Sequence, residues 1–364
     1  MKFDYCIGNP PYQESRETTK DMPVYNDFMD AAYQIAERVE LITPAKFLFN
    51  SGATPKDWNR ARLNDKHFKV FSYVGDSAKV FPTTSIAGGV AIHYRDTTKD
   101  FGAIEIFSPF SEMNQIRNKV ISEKSFIGLD SIMYPYSAYT LSEQFWKDFP
   151  ERKKKAEYII AHRSELSKED KQGEFSNLRI ITTNVFDLIP EVFHKIKPDD
   201  GNEYCLLAGR QNNQRCNQYI LRKYIDVAEN YDNYKVIISI ADGASGCIGN
   251  PIPARLCGIP TVIGPQTGYT QTFQSIGNLT HKNEAENIVK YIKTKFARLT
   301  LGLLKATQHY PVEKWHFVPL QDFTDRSDID WSKSIHEIDL QLYRKYALTK
   351  EEIEFIESHV KEMD

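Results

Sequence analysis

No stretch of this 364-residue chain is apolar for long enough to cross a bilayer, and no signal-peptide pattern opens it. Cysteine is scarce. The five present (Cys6, Cys205, Cys216, Cys247, Cys257) form no C-x-x-C pair and no zinc-like grouping with histidine. That excludes a disulfide scaffold and reads as reduced structural thiols in a cytoplasmic protein. An excess of positive charge is missing too. With a net charge of −3, the chain does not wrap nucleic acid through a global field, so any phosphate contact has to come from a local patch. Internal repeats, low-complexity segments and a P-D…(D/E)-x-K nuclease site are not recognisable, and no metal site is expected.

What is present is an ordinary globular composition, 41% hydrophobic and 26% charged, with enough length for two or three domains. Aromatics reach 12%, which supports large cores and also stacking surfaces for bases. The first hundred residues alternate strand and helix. "FDYCIG" reads as a buried strand. Val24, Phe28, Ala32, Ile35 and Val39 recur at helical spacing, and "ELITPAKFLF", "FKVFSYVGD" and "AGGVAIHYRD" read as further strands. Such spacing argues for an α/β sheet with crossover helices. From about residue 105 the texture becomes β-rich, with "YCLLAGR", "QYILRKYI", "YKVIISIA", "IPTVIG" and "TFQSIG" punctuated by Gly and Pro. The charged run "RKKKAEYIIAHRSELSKEDKQGEF" reads as a solvated helix or loop. The end is helical. Asn283 with Glu286 and Thr349 with Glu352 make capping-box patterns, and Ile288, Ile292, Phe296, Leu299 and Leu303 form an apolar stripe. The expected division is 1–104, 105–280 and 281–364.

The first strand ends in Gly8 and then Asn9-Pro10-Pro11-Tyr12. Pro-Pro after a strand is often only a rigid turn. Its position at the carboxyl end of a strand, in a sheet of this kind, marks a place where ligands gather. An amino group attached to a planar π system is a poor nucleophile, because its lone pair is delocalised. Accepting hydrogen bonds from both of its N–H groups favours a nitrogen closer to tetrahedral. The Asn9 side-chain oxygen is one acceptor. The Pro10 carbonyl is a second, held stiffly because proline fixes φ and restrains the residue before it. The Tyr12 ring can stack on a planar substrate.

These residues resemble the adenine-specific DNA methyltransferases, and more narrowly the methylase part of large Type IIG-like restriction–modification enzymes. Their hallmark is (D/N/S)-P-P-(Y/F) after a strand, and "FDYCIGNPPYQ" fits it closely. The resemblance extends to "ELITPAKFLFNSG", "VFPTTSIAGGVAIHY" and the helical tail. It implies a partial Rossmann-like methyltransferase sheet at 1–104, a β-rich target-recognition domain at 105–280 and a helical region at 281–364. It also implies Asn9, Pro10, Pro11 and Tyr12 as catalytic residues, S-adenosylmethionine as methyl donor, and a base flipped out of double-stranded DNA. Arg210, Arg215, Arg222 and Lys223, near "GRQNNQR", are the expected DNA contacts, with the 264–273 loop as a second candidate.

The family's Gly-rich cofactor loop normally precedes N-P-P-Y by many tens of residues, whereas eight residues precede it here. Downstream, Gly243, Gly246 and Gly249 follow an apolar strand, but Pro251 and Pro253 disfavour the helix that such a loop opens into. The expectation is therefore the carboxyl-terminal portion of a longer or split enzyme, working with an amino-terminal methyltransferase or endonuclease polypeptide. Two alternatives stay open at this level. One is a protein-glutamine N5 methyltransferase, which uses the same N-P-P-Y on an amide. The other is a DNA-binding specificity module without catalysis.

Overall fold

The computed structural model describes residues 3–14, 22–84, 86–167, 175, 177–242, 244, 246–249, 251–305 and 307–363. Gly243 and part of the charged run after residue 167 lie outside these described residues.

The first sheet takes its strands in the order β1 (Phe3–Gly8), β2 (Ala36–Pro44), β4 (Val90–Asp96), β3 (Phe68–Val74). β1 and β2 run parallel, with Gly8 level with Leu41, while β4 is antiparallel to both β2 and β3. A parallel pair requires a crossover, which α1 (Tyr25–Ile35) supplies. All four sequence-read strands are therefore strands, but β1 is not buried. It pairs only with β2 among the described residues, and Phe3, Tyr5 and Ile7 are exposed. An apolar strand is buried only when its neighbours cover it. This one lies at a sheet edge and turns these three side chains to the face opposite α1. Helix α1 also differs from expectation. It buries Tyr25, Met29 and Ala32, leaves Phe28 and Ile35 about half exposed, and ends before Val39, which lies in β2. The phase of the apolar stripe was set by contact with the sheet, not by the largest side chains.

The core of this part joins α1, β2, β4, Phe47, Leu48 and Leu63 of α2 (Lys56–Leu63), and ends at Phe107. A second core lies under the hairpin of β5 (Tyr204–Gln211) and β6 (Gln214–Leu221) and the short strand β9 (Thr267–Tyr269). The third core sits against β7 (Tyr234–Ser239), β8 (Thr261–Ile263) and β10 (Phe273–Leu279). Alternation along β7 sends Val236 and Ile238 into the third core and Ile237 into the second.

The tail holds several helices, and one core runs across residue 280. Helices α5 (Lys282–Lys293), α6 (Lys295–Gly302), α7 (Ile335–Lys345) and α8 (Lys350–His359) share the third core with β7 and with α3 (Ser111–Ser122). All five stripe residues from Ile288 to Leu303 are buried, but four of them are divided between two helices and Leu303 follows the second. Thr294 breaks the run, its hydroxyl capping α6 at Ala297 N. The box at Thr349 and Glu352 is present. The one expected at Asn283 is not, because α5 starts at Lys282 and Asn283 instead donates to Asp325. Among the described residues no helix is long and apolar enough to cross a membrane.

Inside the first sheet, His93 of β4 is fully buried, with Nε2 3.0 Å from Thr43 Oγ1 of β2. The rings of Phe47 and Phe68 flank it, and burial pushes its pKa down to about 3 from 6.5. Above pH 6.5 both folded and unfolded chains keep it neutral. As pH falls below that value the unfolded chain takes up a proton that the folded chain refuses, so stability present at neutral pH is lost toward pH 3. His93→Gln keeps a partner for Thr43. In urea melts at pH 7 and pH 5 it should lose ~2 kcal/mol less than the native chain between the two. Equal losses would show that His93 does not titrate in this window.

Candidate active site at the carboxyl ends of the parallel strands

Because β1 and β2 are parallel, Gly8 and Pro44 end on the same side of the sheet. The residues that follow each strand meet there. Asn9 and Pro11 are exposed, while Pro10 and Tyr12 are half-buried. The Tyr12 carbonyl accepts from Val24 N at 3.2 Å, which ties the bend to the start of α1. From β2 the chain enters a 3-10 turn, Ala45–Phe49, that carries Lys46 to the same place. The connection from β3 to β4 closes the far side with Thr84, Ile86 and Ala87. Gly89 fixes this approach. Its φ is +75°, and a Cβ there would lie 2.3 Å from Val74 O.

The result is an open cavity of about 880 Å3, lined by Asn9, Pro10, Pro11, Tyr12, Tyr25 and Lys46 among others. Its size is in the range of ligand sites, and its place at strand carboxyl ends is where α/β sheets bind ligands. Asn9, Pro10, Pro11 and Tyr12 thus stand together on one cavity wall. The Tyr12 hydroxyl is buried and finds no hydrogen-bond partner of ordinary geometry among the described residues. Burial raises its pKa, and the neighbouring Asn9 side chain opposes the rise.

Two residues of this site escaped sequence reasoning. The ring of Phe81 meets that of Tyr12 edge-to-face at 6.3 Å and sets its orientation. It lies some seventy residues downstream, and nothing in the local pattern connects the two. Lys46 is the one charged side chain in the lining among the described residues. Its stem lies across Gly52 and Gly88, both at positive φ, where added Cβ atoms would stand 3.2 and 2.7 Å from it. Its ammonium forms no ion pair or hydrogen bond among the described residues. A signal was available, since Lys46 falls in the turn directly after a strand, but glycine contacts across the fold are not visible in sequence.

Comparison with known proteins falls on this part of the chain. Residues 1–81 match the family model described as Eco57I restriction-modification methylase. An uncharacterized adenine-specific methylase of Mycoplasma pneumoniae is 30% identical over 95 residues, which are 25% of this chain and 22% of that protein. The chain therefore spans about a fifth of the length of this curated relative. The family match covers β1 to β3 and the bend at Asn9–Tyr12, and each likeness leaves most of the chain unmatched.

The expected DNA contacts separate. Arg210 and Arg215 are cross-strand neighbours on the β5–β6 hairpin and line one second cavity. Arg222 instead donates to Ile225 O at 2.7 Å and stacks on Tyr231. Lys223 pairs with Asp148 at 2.9 Å. The 264–273 loop is mostly interior, with Thr267, Tyr269, Thr270, Thr272 and Phe273 all buried, because 267–269 is strand β9. Among the described residues there is no group of acid, cysteine and histidine side chains placed to hold a metal.

Gly88→Ala should destabilise the fold by about 1–2 kcal/mol through its positive φ alone, with a further cost from displacing Lys46. Lys46→Ala in the same chain should recover that further cost. A double-mutant cycle in urea melts measures the coupling, and strict additivity would deny the contact.

Proposed function

We propose that this chain carries the base-modifying half of a restriction–modification methylase and acts on the N6 amino group of adenine in double-stranded DNA. The observation that carries this reading is the cavity at the shared carboxyl end of β1 and β2, with Asn9, Pro10 and Tyr12 in one wall. The likeness of residues 1–81 to the Eco57I methylase family supports it.

The base amino group is paired and stacked within a duplex, so the base has to leave the stack to enter the cavity. There Asn9 Oδ1 and Pro10 O accept its two hydrogens and concentrate the lone pair on nitrogen. As the nitrogen becomes positive on reaction, both oxygens stabilise the developing charge, and they do so without reorganising. Tyr12 stacks on the base and Phe81 braces Tyr12. Lys46 gives the cavity a positive charge, which suits a phosphate-bearing nucleotide better than the neutral side chain of a glutamine.

S-adenosylmethionine is the methyl donor that the resemblance implies. Among the described residues the cavity lining contains no carboxylate, and no described glycine-rich turn opens into a helix beside it. The described residues alone therefore do not fit that cofactor, and no step is assigned to it here. In this reading its site is completed by a further polypeptide segment laid along β1, whose open edge and exposed Phe3, Tyr5 and Ile7 offer backbone groups and apolar surface. DNA contact is assigned to Arg210 and Arg215. Arg222 and Lys223, engaged by their neighbours, stand outside it.

The test is transfer of a labelled methyl group from S-adenosylmethionine to duplex DNA, with this chain and the polypeptide encoded immediately upstream. Asn9→Ala should lower transfer by about 100-fold or more, with duplex affinity retained. Undiminished transfer by that variant would falsify the role of Asn9. Calorimetry on the assembled enzyme that finds no cofactor binding would leave a DNA reader without catalysis.

A further inference from the structure

A second cavity, of about 640 Å3, opens in the β-rich part, with Arg210, Arg215 and Arg255 in its wall together with Asp242, Ser239 and Thr272. Arg210 and Arg215 stand directly opposite each other on the β5–β6 hairpin, whose two-residue turn is Asn212-Asn213 with both φ values positive. Like charges facing each other across an antiparallel pair are destabilising. Arg255 arrives from the irregular chain after β7 and adds a third guanidinium.

The neighbours do not neutralise this cluster. Arg210 makes no hydrogen bond or ion pair among the described residues, and its Nε is buried. The Arg215 guanidinium lies over the Phe273 ring at 5.2 Å, and its Nη1 donates to Ile259 O at 3.4 Å. Those contacts aim it without supplying negative charge. Arg255 alone has an acid, Asp242, at 3.1 Å. Among the described residues, one carboxylate to three guanidiniums leaves two positive charges uncompensated in the lining. Burial first, and then the charges of Arg210 and Arg255, push the Arg215 pKa down, while Tyr310 and Asp242 oppose the shift. The floor beneath is fixed. Tyr310 Oη accepts from Gly258 N at 2.8 Å and meets Ser239 Oγ at 3.0 Å.

A site that gathers cations at a local cost is organised for an anion. A base edge is neutral and would leave both surplus guanidiniums uncompensated, whereas a phosphate meets them with charge and with oxygens that match their forks. We infer that this cavity binds a phosphate group, and that its occupant is a backbone phosphodiester of the duplex. The choice of DNA as the source rests on the methylase reading above, while the chemistry of the pocket does not.

The experiment measures binding and not methyl transfer, so the two readings fail separately. Affinity of the full chain for fluorescein-labelled duplexes of unrelated sequence is followed by anisotropy across a salt series, for the native chain, Arg215→Gln, Arg255→Gln and Arg215→Lys. Each Gln variant should weaken all duplexes alike and reduce the slope of log K against log salt by about one. Arg215→Lys should keep most of the slope, which separates loss of charge from misfolding. Asp242→Asn should tighten binding. An unchanged slope, a loss confined to one sequence, or no duplex binding by the native chain would each overturn the proposal. Inorganic phosphate should raise the melting temperature of the native chain more than that of Arg215→Gln. That shift with an unchanged duplex slope would assign the pocket to a free phosphate compound and overturn the DNA source.

Discussion

The parallel pairing of β1 with β2 is the constraint on which the candidate site depends. It is an unusual pair to find at an edge, because a parallel ladder has to be reached through a crossover and its outer side is left unpaired among the described residues. Its effect is to place two strand ends, Gly8 and Pro44, side by side. Had β1 run antiparallel to β2, Asn9 would leave the sheet at the end opposite Lys46, and no common wall would exist. The antiparallel return of β4 then carries the β3–β4 connection over the same end, with Gly89 permitting the backbone to pass against Val74. The cavity is thus a product of strand direction first and of side chains second.

Stiffness is the second property of that wall. An acceptor that has to be ordered before it binds loses conformational entropy on binding. The Pro10 carbonyl is ordered already, held between two proline rings at the end of a paired strand, and Tyr12 is tied through its carbonyl to Val24 N. The open face of β1 does not undermine this, because the ladder to β2 runs through Gly8.

Much of this was legible in sequence, and the reasons for the remainder are physical. The four strands of the first sheet were readable because β-branched and aromatic runs bounded by Gly, Pro and Asp have few other uses. The bend at Asn9 was readable because the proline pair restricts the backbone whatever surrounds it. Burial was not readable to the same degree. Phe3, Tyr5 and Ile7 look like core residues, and whether they are depends on a neighbour that no local pattern can reveal. Helix α1 shows the same limit, for Phe28 and Ile35 fit a helical period and still face outward. Capping was readable where the cap residue precedes the helix, at Thr349, and misread at Asn283, where the helix had already begun.

The basic residues show the same distinction between sequence neighbours and spatial ones. Arg210, Arg215, Arg222 and Lys223 form one group along the chain, but a hairpin with a two-residue turn puts Arg210 against Arg215, and the turn after β6 takes Arg222 and Lys223 to Tyr231 and Asp148. Their place beside Arg215 is taken by Arg255, forty residues later, which no sequence window would join to them. A net charge of −3 describes this chain poorly, because cations without an acid partner among the described residues line two of its cavities, Lys46 in one and Arg210 and Arg215 in the other. Positive charge held without a protein partner inside a concave site gains its compensation only when an anion arrives. Under the proposed reading both cavities meet a polyanionic substrate in this way, which rests on local placement of charge and not on a count of lysines and arginines over the whole surface.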